Sequence, residues 1–306
     1  MDRLFWNCDC IILKEMRKFK GKKLMEGEKD MIFIGCTGFQ EHGSLNGKTN
    51  VSLYEYGQYF PIVELDTSFY YIPQEAHIKK WLTDIPENFQ FILKVPGLFK
   101  THRPLAEDET FRGVAHTFCQ RLAPMSAQGR LFCLLAQFPA SFTCTRENVT
   151  YLMHMRQWFP NEVVAVEFRH ASWYDKANID KMHAFMKQQR YSLVVADEPK
   201  KIASTVPLDF TVTNSEAVLI RLHGRNDAGW VYTGPDARAY RTLYDYHTHE
   251  LMDLAEGMKQ CQKETANVAV IFNNNSGGHA AANAKQLQSL LHIDYSGLHP
   301  NQMDLF

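Results

Sequence analysis

The feature that most constrains this chain is a pattern that recurs about eight times between Met31 and Asn275. Each unit is a short apolar run, then polar residues, then a stretch with helical periodicity. Apolar strands that alternate with helices form parallel sheets, and eight such units close into a barrel. The pattern therefore predicts an α/β fold, a single-domain (β/α)8 TIM barrel. The runs are IFIGCTG, PIVELDTSFY, FQFILKVPG, LFCLLAQFP, VVAVEFRH, YSLVVADEP, AVLIRLHGRN and VAVIFNNN.

Length and composition agree with one barrel domain. The chain has 306 residues, of which 45% are hydrophobic, and about 250 residues suffice for a TIM barrel. We place the barrel at residues 31–295 and a short C-terminal tail at 296–306. Residues 1–30 are rich in charge and have little to bury, so they are predicted to be a peripheral extension; a basic helix for a partner is the alternative.

Charge and cysteine usage narrow the classes of partner and compartment. The formal net charge is -1 and the pI is about 6.9, so no bulk charge attracts nucleic acid or an anionic membrane. No apolar run approaches the roughly 20 residues of a membrane span. Seven cysteines form an odd set without framework spacing, which favours reduced thiols in a cytoplasmic protein.

Alternation along two strands predicts that ionic side chains point into the barrel. Glu167 and Arg169 share one face of their strand, whereas Arg221, His223 and Arg225 share a face of another. Both faces of a barrel strand are buried, so these groups are expected to converge at the carboxyl-end mouth.

Glu64 and Lys94 lie on neighbouring strands and are expected to join this group, paired with each other or with Arg169 and Glu167. One interpretation is a ring of salt bridges that fills the top of the barrel. The other is an active site, with Glu167, His223, Lys94 and Glu64 as candidate catalytic residues.

The last strand leads into the most specific local motif, FNNNSGGHAAANAKQL. Gly277 and Gly278 let the backbone approach an anion, and the following helix presents free N–H groups. The alternative is a tight turn with an Asn cap. The candidate substrate-binding residues are Arg169, His170, Arg221, Arg225, Asn273, Asn274, Asn275, Gly277 and Gly278.

Several of these motifs together resemble the YecE-like family, also described as domain of unknown function seventy-two. The resemblance runs from about Ile32 to Leu291 and implies a TIM barrel. It implies no catalytic roles, because the activity of the family is not established. The matching stretches are Glu64 with Thr67–Tyr70 and Pro73, Lys94–Pro96 with Thr101 and His102, Gln137–Pro139 with Phe142, Val166–His170 with Ser172 and Trp173, Arg221–Arg225, and Phe272–Asn274 with Gly278, Asn283 and Ala284.

Three functions are compatible with these residues. The preferred one is an enzyme that acts on a small anionic metabolite, phosphorylated or carboxylated, by general acid–base chemistry at the barrel mouth. The second is a metal-dependent hydrolase or nuclease with ligands among Glu167, His170, Asp197 and His223. The third is a noncatalytic binding or adaptor protein, with nucleic acid as a partner through Lys94, Lys100, His102 and Arg103.

The expected partner is therefore a small anionic molecule, with neither a membrane nor, by preference, a nucleic acid. No cofactor is predicted, because the chain has no Gly-x-Gly-x-x-Gly, phosphate-loop or Gly-x-Ser-x-Gly motif. No metal is predicted either. The candidate ligands Glu167, His170, Asp197 and His223 are not spaced as a His-x-His or His-Glu-x-x-His pattern, and Arg169 would repel a cation.

Overall fold

Nine parallel strands form the wall of a barrel in the computed structural model, which describes residues 31–100, 108–200, 202 and 205–300. The predicted N-terminal extension at 1–30 lies outside these residues. So does the end of the predicted tail, 301–306. The strands are β1 Met31–Thr37, β2 Ile62–Leu65, β3 Gln90–Lys94, β4 Leu131–Gln137, β5 Val164–Glu167, β6 Tyr191–Leu193, β7 Val195–Asp197, β8 Val218–Leu222 and β9 Asn267–Phe272.

The nine strands occupy eight positions around the barrel, because β6 and β7 are separated by Val194 alone. β6 pairs with β5 and β7 pairs with β8, while the Val194 N–H bridges the break by donating to the Val166 carbonyl at 2.9 Å. β1 pairs with both β2 and β9. The predicted single-domain TIM barrel is confirmed.

Helices cover the outside of this wall and also extend over its mouth. They are α1 Leu53–Tyr56, α2 Thr67–Tyr70, α3 Glu75–Thr83, α4 Asp108–Ala127, α5 Arg146–Trp158, α6 Ile179–Gln188, α7 Asp227–Val231, α8 Ala237–Arg241, α9 Thr248–Gln262 and α10 His279–Leu290. In the part of the chain that the structure describes, no helix combines the length and apolar character that a membrane crossing requires.

The apolar core has two parts, one inside the barrel and one between strands and helices. Ile62, Ile92, Ala165, Leu219 and Ile271 belong to the cluster inside. Side chains two positions further along a strand return to the same face. Five of the strands therefore carry a polar side chain at or just after their carboxyl end that points into the mouth. These side chains are Glu64, Lys94, Glu167, Arg221 and Asn273.

The segment between β8 and α9 is long, and it carries α7 and α8. Gly224 begins it in the left-handed region, with φ +87°. The Asn226 side chain holds the segment together by donating to the carbonyls of Tyr240 and Leu243 at 2.8 and 3.0 Å. We call residues 225–243 the lid segment, because its side chains reach across the barrel mouth.

Residues after α10 return to the amino-terminal end of the barrel. The Tyr295 hydroxyl accepts a hydrogen bond from the Ile34 N–H and donates one to the Ile32 carbonyl, at 2.9 and 2.8 Å. His299 stacks on Tyr54 with ring centroids 4.0 Å apart. Part of the predicted tail at 296–306 therefore packs against the barrel.

A glycine in β1 permits the closest approach between β1 and β2, and its replacement provides a test of the packing. A Cβ atom at Gly35 would lie 2.1 Å from the Ile62 carbonyl oxygen and 2.9 Å from the Tyr56 hydroxyl. Gly35→Ala should lower the free energy of unfolding by about 1–3 kcal/mol or more, because the backbone must move.

Gly113→Ala is the matched control, since it lies on the exposed face of α4 with nothing within 4 Å of the added atom. It should be neutral or should stabilise the protein by up to about 1 kcal/mol. Urea denaturation of both variants measures the difference. Equal stabilities would contradict the tight packing at Gly35.

Candidate functional site

The centre of the barrel mouth is an ion cluster around Arg221 at the end of β8. Its Nε and Nη2 atoms donate to Glu64 Oε2 and Oε1 at 2.8 and 2.6 Å, and Nη1 donates to Glu167 Oε2 at 2.5 Å. All three side chains are at most 1% exposed. Two carboxylates from opposite sides of the barrel thus share one guanidinium. Burial alone would raise the pKa of Glu167, but Arg169 and Arg221 hold it well below its usual range.

Arg169 extends the cluster from β5 towards the lid segment. Its Nε donates to Glu167, Nη1 lies 2.6 Å from Glu198 Oε1, and Nη2 lies 3.0 Å from His223 Nε2. Glu167, Glu198 and His223 offer potential metal-ligating atoms that lie within 4.8 Å of one another. The Arg169 guanidinium contacts all three side chains, so it provides the positive charge that a metal ion would bring to this group.

His223 is a neutral imidazole in this environment. Full burial and the neighbouring Arg169 lower its pKa to about 3. The Asn273 amide contacts the other side of the ring, with Nδ2 2.9 Å from Nδ1. The ring therefore carries no charge at neutral pH, and both of its nitrogens contact protein groups, those of Arg169 and Asn273.

Lys94 pairs with Asp66, so the predicted pairings of Lys94 with Glu64 or Glu167, and of Glu64 with Arg169, are wrong. Lys94 Nζ lies 2.9 Å from Asp66 Oδ1 and 3.0 Å from Oδ2. The reason is that Arg221 engages both oxygens of Glu64. Burial opposes ionisation of Asp66, yet the Lys94 ammonium holds its pKa below the usual range.

The cluster forms the floor of a cavity of about 480 Å³, a size typical of small-molecule sites. Six cationic side chains line the cavity, compared with one carboxylate. Its walls come from the β2, β3 and β4 loops and from the lid segment. The lining residues are Asp66, Phe69, Tyr70, Lys94, Lys100, Gln137, Phe138, Pro139, Ala140, Arg169, Arg221, His223, Trp230, Arg238, Arg241, Thr242 and Asn273.

Trp230 connects the lid segment to the ion cluster. The guanidinium carbons of Arg169 and Arg241 lie 5.5 and 5.1 Å from the centroid of its ring. Trp230 Nε1 and Arg241 Nε are buried and have no hydrogen-bond partner among the described residues. Buried donors normally find an acceptor, so these two atoms mark a place where a ligand can accept hydrogen bonds.

Arg225 does not line this cavity, although the sequence predicted that it shares a face with Arg221 and His223. β8 ends at Leu222, and the positive φ of Gly224 ends the strand geometry before Arg225. Its Nε and Nη2 donate to Asp197 at 2.8 to 3.0 Å, and Nη1 donates to Glu250 at 2.9 Å. Two carboxylates thus neutralise Arg225 outside the mouth.

Two of the three asparagines after β9 hold loops together. Asn274 Nδ2 donates to the Tyr244 carbonyl and to Asn283 Oδ1, at 2.8 and 2.9 Å. Asn275 Nδ2 donates to the Thr37 carbonyl at 2.9 Å. Asn273 alone among the three lines the cavity.

The remaining sequence candidates also lie away from the cavity lining. Gly277 and Gly278 adopt φ values of +74° and +75°, which makes the tight turn that precedes α10. His170 caps a short 3-10 turn, because its Nδ1 accepts from the Ser172 N–H at 3.1 Å. Their predicted roles in substrate binding therefore have no geometric support from the cavity.

Sequence reasoning did not single out Glu198, Trp230, Arg238 or Arg241. Strand parity carries no information about the last three, since they lie in a long connection. The available signal was the length of that connection, because long loops in barrels frequently bear functional groups.

Comparison with known proteins places these residues in a family context. A model of the family described as "Protein of unknown function DUF72" matches residues 33–304. The UPF0759 protein YunF of Bacillus subtilis (strain 168) is 38% identical over 282 residues, covering 90% of this chain and 100% of that protein.

Two solved structures of DUF72 family proteins are also similar to this chain. The one from Enterococcus faecalis V583 has a TM-score of 0.83 and 42% identity, covering 90% of this chain and 100% of that chain. The one from Thermotoga maritima MSB8 has a TM-score of 0.72 and 29% identity, covering 86% and 100% respectively.

Removal of the central guanidinium tests the ion cluster. Arg221→Met should destabilise the protein by about 3–5 kcal/mol, because it leaves Glu64 and Glu167 buried without their main partner. Adding Glu64→Gln should restore part of this loss. Denaturant titrations of the single and double variants give the values.

Arg190→Met is the control, since its ion pair with Glu216 is 59% and 53% exposed. It should cost no more than about 1 kcal/mol. Similar losses for Arg221→Met and Arg190→Met would show that the cluster is not a buried network.

The neutral state of His223 predicts a pH dependence of stability. Unfolded histidine binds a proton below about pH 6.5, whereas folded His223 does so only near pH 3. The unfolded state thus binds more protons in between, and stability falls as the pH falls. His223 should account for a loss of about 2 kcal/mol between pH 7 and pH 5. Urea denaturation at both pH values should show that His223→Gln loses about 2 kcal/mol less unfolding free energy than the unmodified protein does. An equal loss of unfolding free energy in the two proteins would contradict a neutral imidazole.

Proposed function

Because this chain belongs to the DUF72 family, as its resemblance to YecE-like proteins predicted, we propose its function from its own cavity. The protein is an enzyme that binds a small anionic metabolite, phosphorylated or carboxylated, at the barrel mouth and converts it by general acid–base chemistry. The observation that carries this proposal is the pair of buried, unpartnered donors at Trp230 and Arg241 in a cavity lined by six cations.

Anion binding is assigned to the lid side of the cavity. Arg241 has no carboxylate within ion-pair distance among the described residues, and the nearest carboxylate oxygen to Arg238 is Asp66 Oδ2 at 3.7 Å. Trp230, whose ring lies beside Arg241, adds a neutral donor. Arginine and indole N–H groups in a partly enclosed site bind anions by charge-assisted hydrogen bonds.

Proton transfer is assigned to the opposite side, where Lys94 and Asp66 line the cavity. The Lys94 ammonium can donate a proton and the ionised Asp66 carboxylate can accept one. We assign the neutral His223 a positioning role, because its two nitrogens contact Arg169 and Asn273. Glu64 and Glu167 have no exposed surface and bind arginines. We therefore assign them a positioning role and no longer propose them as catalytic residues.

The proposed setting for this chemistry is the cytoplasm. The cysteines at positions 36, 119, 133, 144 and 261 are all unpaired thiols. Reduced thiols persist in the cytosol, which supports the compartment that the sequence predicted.

A panel of phosphorylated and carboxylated metabolites tests the binding step by thermal and chemical denaturation. A true ligand should stabilise the protein by about 2.7 kcal/mol at a hundredfold excess over its dissociation constant. Arg241→Gln should weaken binding by about 1.5–3 kcal/mol, because it removes a charge-assisted contact.

Arg190→Gln serves as the matched control, because Arg190 directly precedes β6 at the amino-terminal end of the barrel. It should bind like the unmodified protein. The proposal fails if no anion in the panel stabilises the protein, or if Arg241→Gln binds every anion as tightly as the Arg190→Gln control does.

A further inference from the structure

The balance of charge at the mouth indicates which anion fits. Six cationic side chains line the cavity. Among the described residues, they form ion pairs with four carboxylates, those of Asp66, Glu64, Glu167 and Glu198. His223 is neutral. Among the arginines of the lining, Arg238 and Arg241 are therefore the two that lack a close carboxylate in the described part of the chain, and they carry the positive charge available to a ligand.

The available positive charge is concentrated on the lid side. Arg221 and Arg169 each bind two carboxylates, and Lys94 binds Asp66. Arg238 is largely exposed and makes a single long ion pair at 3.7 Å. Burial and the neighbouring Arg169 lower the pKa of Arg241 from its ordinary value, as expected where cations outnumber anions.

The donors on this side favour an anion with several acceptor oxygens. Trp230 Nε1 and Arg241 Nε are buried without hydrogen-bond partners in the described part of the chain. Arg238 adds a guanidinium at the same rim. A carboxylate offers two oxygens and one charge, whereas a phosphate monoester offers three terminal oxygens and nearly two charges at neutral pH.

We propose that the metabolite is a phosphate monoester whose dianion binds between Arg238, Arg241 and Trp230. This inference rests on the proposed function and narrows it to one class of substrate. The phosphate serves as a handle at the lid, and the organic part extends across the cavity to Lys94 and Asp66. Tyr70, which lines the cavity and is 73% exposed, provides an aromatic surface beside that part.

Three ligands that share one ring separate the anions. Phenyl phosphate, phenyl sulfate and benzoate differ in charge and in the number of oxygens but present the same ring. In calorimetric titrations at pH 7.5, phenyl phosphate should bind at least about tenfold more tightly than the other two, which corresponds to about 1.4 kcal/mol. Arg241→Gln should reduce this preference, whereas Arg190→Gln should retain it.

The pH dependence of binding provides a second readout. The second phosphate ionisation has a pKa near 6, so the dianion fraction falls about fourfold between pH 7.5 and pH 5.5. Asp66, with a lowered pKa, and His223, with a pKa of about 3, do not change charge over this range. Burial raises the pKa of Glu64 and Glu198 behind the lining arginines, and phenyl sulfate, which stays a monoanion, is the control for these two groups. Affinity for phenyl phosphate should fall about fourfold, and affinity for phenyl sulfate should stay constant.

The outcomes distinguish this inference from the proposed function. If benzoate or phenyl sulfate binds as tightly as phenyl phosphate, the phosphate assignment is overturned while anion binding stands. If neither phenyl phosphate nor inorganic phosphate binds but a carboxylated metabolite stabilises the protein through Arg241, the assignment also fails alone. If no anion binds at all, both fail. A parallel fall in affinity for both esters at pH 5.5 would overturn the dianion argument.

Discussion

The ion pairs between Arg221 and two glutamates determine the arrangement of the whole mouth. Arg221 on β8 binds Glu64 on β2 and Glu167 on β5, so one guanidinium connects strands from three sides of the barrel. A buried charge must be paired, and a buried guanidinium offers five donors in fixed directions. The positions of Glu64 and Glu167 are thereby determined. Glu167 in turn orients Arg169, and Arg169 contacts Trp230 of the lid segment.

The same ion pairs explain why we assign proton transfer to the rim of the cavity. Glu64 and Glu167 are fully buried and bound by arginines, so a ligand in the cavity has no access to their carboxylate oxygens. Lys94 and Asp66 are only partly buried, with 13% and 24% of their side chains exposed. They combine ionised states with access to the cavity. The buried cluster thus provides rigidity, and the rim provides reactive groups.

Strand periodicity predicted the floor of the site, because it is a backbone property that the sequence displays directly. Alternation placed Glu167, Arg169, Arg221 and His223 together, and the structure brings them into contact. The same reasoning misplaced Arg225, because Gly224 changes the backbone direction after the strand ends. It also missed Asp66 as the partner of Lys94, since Asp66 follows β2 in a loop. Strand periodicity could not predict Trp230 and Arg241, because the lid segment contains no strand.

The lid segment and the ion cluster are connected through Trp230, which contacts two arginines. Arg169 and Arg241 both approach the Trp230 ring, and the attraction of the ring for each guanidinium partly offsets the repulsion between them. The ring cannot neutralise them. The anion that we propose at Arg241 and the Trp230 N–H would reduce this repulsion and hold the lid segment over the mouth. The proposed anion would thus connect the lid segment to the preformed floor, an arrangement that excludes water from the groups at the rim.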